Sequence, residues 1–117
     1  MLSKNRLVLL CFLNLCLTAC QSPKTLYHWN DYSETLYEFQ KNPSADTQQA
    51  HIEGMLEIVE EAEEDNLLVP PGVYFELGIY FSEQGQKDKA KAYFAKELEC
   101  FPESEKMIEL AQSEIKS

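Results

Sequence analysis

The chain has 117 residues, enough for one domain, and 44% apolar with 26% charged residues is an ordinary globular mix that excludes wholesale disorder. All 20 acidic residues lie after Cys20, where eight lysines and no arginine oppose them, leaving −12 on residues 20–117. A surface of that sign repels phosphate backbones and gains nothing from anionic lipid headgroups, so nucleic acid and charge-driven membrane adhesion are excluded.

Lys4 and Arg6 make a positive start, and Leu7 to Leu17 follow as an apolar run of 11 residues. A helix needs ~20 apolar residues to span a bilayer, so the run is too short for that and reads as a secretory signal. Leu17-Thr18-Ala19-Cys20 then resembles the lipobox of bacterial lipoproteins, with Leu at −3, small residues at −2 and −1 and Cys at +1. That resemblance implies removal of residues 1–19, a diacylglyceryl group on the Cys20 thiol and an acyl group on its freed amine. Several acyl chains, at ~0.8 kcal/mol per buried methylene, hold more firmly than a single one. Gln21 follows the cysteine, and absence of Asp there resembles the Gram-negative pattern for sorting to the outer membrane. Cys11 and Cys16 leave with the leader and Cys20 carries lipid. Cys100 is therefore the single remaining thiol, expected as a small buried hydrophobe with no internal disulfide.

Residues 20–25 read as lipidated cysteine and polar tether, and residues 26–117 as the folded domain. Trp29, Tyr32, Leu36 and Phe39 recur at three- and four-residue steps and predict a helix over about 28–41, stopped by Asn42-Pro43-Ser44. A second helix is expected from about Asp46, with Asp46 and Gln49 as a capping-box variant. Its apolar face is Ile52, Met55, Leu56, Val59 and Ala62. The acids between Glu60 and Asp65 oppose the helix dipole, so this end is expected to fray or stay solvated. The run lacks the spaced oxygens and central glycine of a calcium loop.

Pro70-Pro71-Gly72 predicts a turn and a third helix over about 71–85, with proline in its first turn and Gly85 closing it. A fourth is expected over about 88–100 with Asp88 as cap, and Pro102 breaks the chain. Ser104 is the expected cap of a fifth helix, about 105–116, with Met107, Ile108, Ala111 and Ile115 inward. No stretch alternates long enough for a strand, so the class is all-α.

Little in the sequence points to chemistry. His28 and His51 fall in different predicted helices without metal-type spacing, and both read as surface or core histidines. The glycines are scattered, so no phosphate-cradling loop forms, and carboxylate pairs are expected by chance at this acid content. No catalytic residue, metal ligand, cofactor or small-molecule substrate is assigned. Aromatic residues dominate interface hot spots, and Trp29 and Tyr37 are candidates for a docking surface near the start of the domain.

Tyr74, Leu77, Gly78, Phe81, Ala90, Phe94 and Pro102 fall at positions 4, 7, 8, 11, 20, 24 and 32 of a repeat beginning at Pro71, and this spacing resembles a tetratricopeptide repeat. Small Gly78 and Ala90 suit a close approach of two helices, with Phe81 and Phe94 filling the space beside them. Glu97 departs from the pattern, standing where the repeat prefers Ala. Tyr74 and Tyr80 are expected near the concave face of such a stack, lined by the first helix of each pair.

A wider resemblance rests on Leu26-Tyr-His-Trp-Asn-Asp-Tyr, Leu36-Tyr37, Val69-Pro-Pro-Gly72, Glu76-Leu-Gly78, Ala92-Tyr-Phe94 and Phe101-Pro-Glu-Ser104. In order and spacing these resemble an uncharacterised family of proteobacterial outer-membrane lipoproteins, named only as a domain of unknown function. Asn30 stands where that family commonly has Gly after Trp. The resemblance implies an outer-membrane lipoprotein, without known enzymatic activity, often encoded beside a lipoprotein similar to the curli secretion channel. The expected protein is therefore all-α, about five helices in tetratricopeptide-like hairpins behind a cleaved signal peptide. It is lipid-anchored in the outer membrane, faces the periplasm, and serves protein–protein interaction beside a lipoprotein assembly or envelope channel. A self-associating structural lipoprotein is the alternative.

Overall fold

The computed structural model describes residues 3–4 and 25–115, and its described residues form five α-helices and one 3-10 turn with no strand. The helices are α1 (Tyr32–Lys41), α2 (Ala45–Glu64), α3 (Val73–Glu83), α4 (Lys87–Cys100) and α5 (Glu105–Ile115), the turn Pro102–Ser104 joining the last two. The all-α class and the number of helices are as the periodicity predicts. α1 packs on α2 and α3 on α4, while α2 touches α3 and α5 lies against α3 and the turn. None of the described helices is long and apolar enough to cross a membrane.

Helix ends follow side-chain chemistry, not always the expected residues. α2 is capped by Ser44, whose Oγ accepts from Thr47 N–H at 3.1 Å while Thr47 Oγ1 accepts from Ser44 N–H at 3.0 Å. The capping box is thus Ser44–Thr47 in place of Asp46–Gln49, two residues earlier than expected. At its other end α2 runs through the acidic segment to Glu64 without fraying, and most of those acids are solvated. Asn66 at φ 53 closes it, with Leu67 N–H bonding Ala62 C=O at 2.9 Å and Asn66 N–H bonding Glu63 C=O at 3.4 Å. That is a Schellman stop with Asn in the left-handed position. α3 ends the same way at Gly85, φ 74, where Gln86 N–H reaches Phe81 C=O at 2.9 Å.

The two prolines precede α3 and do not begin it. Val73 N–H bonds Pro70 C=O at 3.2 Å across a turn with Pro71 and then Gly72 at φ 94, the type II pattern. α4 starts at Lys87, so Asp88 lies in its first turn and makes no cap. Ser104 sits in the 3-10 turn with its hydroxyl directed at Glu97, so it does not cap α5.

The core runs through α2, α3 and α4: Ile52, Met55, Val59 and Ala62 meet Val73, Tyr74, Leu77 and Phe81, which meet Ala90 and Phe94. Ile108 is the one buried residue of α5, and α1 buries none completely. Each fully buried aliphatic side chain contributes ~1.5–3 kcal/mol, so the central α2–α4 layer holds most of the stability. Gly78 permits the closest approach: a Cβ there would lie 2.6 Å from the Phe94 ring.

Candidate functional site

Sequence reasoning missed a half-buried polar junction where α1, α2 and α3 meet. His51 of α2 is 3% exposed. Its Nε2 lies 3.2 Å from Glu76 Oε2 on α3, and its Nδ1 lies 2.9 Å from Thr35 Oγ1 on α1. Tyr32 of α1 donates its phenol to the other oxygen of Glu76. Nε2 thus faces the carboxylate and Nδ1 shares the second bond with the Thr35 hydroxyl. Burial, and then the bond to Glu76, push the Tyr32 phenol above its ordinary range, because ionisation would place a second negative charge beside the carboxylate. Hydroxyl, imidazole and carboxylate in a row have the composition of a nucleophile chain. Here the imidazole is covered by packing, Glu76 keeps 35% of its side chain exposed, and Thr35 Oγ1 also lies within bonding distance of the Asp31 and Tyr32 carbonyls. What the junction does is fasten α1 onto α2 and α3. The signal in the sequence was a histidine at Ile52's shoulder on the inward arc of α2, which spacing alone assigns no role.

The segment before α1 is held across the end of α2. His28 Nε2 pairs with Asp65 Oδ2 at 2.8 Å, and Asn30 Nδ2 donates to Glu61 Oε2 at 2.9 Å. Tyr27, Trp29 and Tyr32 follow one another edge to face, 6.4 and 5.3 Å between centroids. Trp29 precedes the helix and is 41% exposed, and Tyr37 on α1 is 57% exposed with Lys41 Nζ above its ring. Both therefore stand at the surface. Tyr80 is half-buried against Phe81. Tyr74 is 5% exposed, packed beside Tyr93 with Lys96 over its ring, and is a core residue that offers no surface for docking. One helical step explains the difference: Tyr74 shares the inward arc with Leu77 and Phe81, whereas Phe75 and Ile79 face α5.

Those two residues open a trough of about 620 Å³ between α3 and α5. Its far wall is Met107, Leu110, Ala111 and Ile115, and Glu83 and Glu114 stand at its rim. Met107 and Ile115, expected inward, are 42% and 39% exposed, because α5 has a neighbour on one side only. The sequence held a hint. From Val73 to Phe81 every residue but Glu76 and Gly78 is apolar, and a helix apolar nearly all round needs cover on more sides than one partner provides.

Glu97, the departure from the repeat pattern, is 1% exposed. Its Oε1 accepts from Gly72 N–H at 2.9 Å and from the Ser104 hydroxyl at 3.3 Å, tying the start of α3 and the 3-10 turn to α4. Its Oε2 is buried without a hydrogen-bond partner. Cys100 is partly buried at the end of α4, and burial raises its thiol above the ordinary range, which suits a packed side chain better than a nucleophile. The lipobox residues Leu17, Thr18 and Ala19, and the expected lipid carrier Cys20, lie outside the described residues. No group of three or more His, Cys, Asp or Glu among the described residues is placed to hold a metal ion.

Residues 26–110 match a family described as a domain of unknown function (DUF4810). No curated protein matches the chain, and no solved structure does.

Proposed function

The chain belongs to the DUF4810 family of domains of unknown function, and from that starting point we propose that it is a lipid-anchored interaction module. In this reading residues 1–19 are a signal peptide, Cys20 carries the lipid, and the helical domain faces the periplasm from the outer membrane. The observation that carries the interaction role is the apolar trough between α3 and α5, open among the described residues on a chain otherwise rich in charge. Open apolar surface of this kind marks interaction sites. The hairpins α1–α2 and α3–α4, with α5 added, support a tetratricopeptide-like array, whose repeats present a lined face to partners. The partners are other envelope lipoproteins, including one similar to the curli secretion channel, as the family resemblance implies. Anchoring confines the domain to the surface on which such partners sit and raises its effective concentration there.

Two measurements test this. Labelled palmitate should enter the wild-type chain but not Cys20→Ser, and the variant should wash from membranes without detergent. Gentle detergent extraction of a tagged wild-type chain should co-isolate envelope lipoproteins. A wild-type chain released by salt alone, or recovered without an envelope partner, would defeat the reading.

A further inference from the structure

We propose that the α3–α5 trough receives one helix of a partner protein, about three turns long, whose apolar face is flanked by lysine or arginine. This deepens the interaction-module reading and rests on it. The length follows from α3, whose 11 residues span ~16 Å at 1.5 Å per residue. The apolar face follows from the walls: Phe75 and Ile79 on one side, Met107 and Leu110 on the other, at helical spacing that accepts ridges from a third helix.

The charge follows from the rim. Glu83 is the last residue of α3 and Glu114 lies in the final turn of α5, and among the described residues no lysine lines the trough. The Glu83 carboxylate adds to the negative C-terminal end of α3, so the trough presents negative potential to the occupant. A cationic flank is attracted there and an anionic one repelled. The same argument disfavours a second copy of this chain, which carries a formal charge of −10 and would bring the same carboxylates face to face.

The test uses the full chain in phosphatidylcholine nanodiscs, with empty nanodiscs as blank. Two labelled 18-residue peptides serve as probes: an amphipathic helix of leucine, alanine and lysine, and the same peptide with glutamate for each lysine. The lysine peptide should bind at least tenfold tighter than the glutamate peptide. Leu110→Lys should weaken it at least tenfold, while Leu68→Lys, at a residue 52% exposed outside the trough, should change it less than twofold. Glu83→Gln should cut the preference for lysine at least twofold. Both leucines are more than half exposed, so neither change threatens folding, and unchanged helical circular dichroism checks it. Equal binding of the two peptides, indifference to Leu110→Lys, or a trough occupied in a concentration-dependent homodimer would each overturn the proposal. Running the Leu110→Lys chain through the membrane co-isolation keeps the two readings apart. Partners retained by that variant count against the trough alone, whereas partners missing from the wild type count against the interaction module itself.

Discussion

Glu97 shows what one residue contributes by leaving a pattern. An alanine at its position would vacate the space between α4 and the turn and leave nothing to accept the Gly72 N–H. A buried donor left unpaired costs ~1–3 kcal/mol, more than a typical satisfied hydrogen bond contributes. Glu97→Ala should therefore lose about 2 kcal/mol, a fall in thermal midpoint of roughly 10 °C for a domain this size. Glu97→Gln keeps a carbonyl oxygen for Gly72 and replaces the unpartnered Oε2 by an amide, so it should stay within ~1 kcal/mol of wild type. If Gln proves as damaging as Ala in thermal melts, the staple depends on charge and the acceptor argument fails. Asn30 makes a related point. Its φ of 40 lies in the left-handed region that favours Gly. Asn tolerates that backbone better than other side-chain-bearing residues and adds a bond to Glu61.

Among the elements, the pair α3–α4 depends on the smallness of Gly78. A methyl there would meet Phe94 ring carbons at 2.6 and 2.7 Å, closer than packed atoms approach, and the ring is itself 4% exposed and enclosed. Gly78→Ala gains helix propensity of ~1 kcal/mol but forces the helices apart, and overpacking costs ~1–3 kcal/mol. A net loss of about 1 kcal/mol in urea midpoint analysis is expected, and a stabilised variant would show that Phe94 has room to turn. This close approach was legible in the sequence, as were the five helices, because period-three-and-four apolar spacing and small residues report directly on who faces whom. Caps were less legible: Asp46 and Ser44 are both good caps, and only the backbone decides where α2 begins. The site was the least legible. Periodicity marks Tyr74 and Phe75 as equally apolar neighbours, yet one is core and the other lines the trough, and the choice depends on where α5 docks. The Tyr32–Glu76–His51–Thr35 junction was invisible because it joins residues up to 44 positions apart. Pairing over that distance is a property of the assembled fold.

At the scale of the whole molecule, the titrating groups with displaced values among the described residues all move one way. Tyr32, Tyr74 and Tyr93 are raised chiefly by burial, Cys100 also by burial, and Lys96 by its hydrogen bond to Glu63. In the unfolded chain these groups lose their protons near their ordinary values, roughly pH 8.5 for the thiol and pH 10 for the phenols and the amine. In the folded chain they hold them to higher pH. Above about pH 8, where the unfolded thiol begins to ionise, and more steeply above pH 9, where the phenols and the amine follow, the native state therefore binds more protons than the unfolded state, and stability falls as pH rises. Below that window both states are protonated at these five groups, and their contribution is constant. The fall should be shared among the helices: Tyr32 reports on the junction of α1 with α2 and α3, while Tyr74, Tyr93 and Lys96 report on α2, α3 and α4. The urea midpoint should thus be flat with respect to these groups up to about pH 8 and decline progressively to pH 11. Tyr32→Phe should start lower at pH 8, having lost its bond to Glu76, and decline less steeply, so that its deficit against wild type narrows with pH. A deficit that stays constant from pH 8 to 11 would mean that Tyr32 ionises as freely in the fold as out of it, and that α1 is not fastened through this junction.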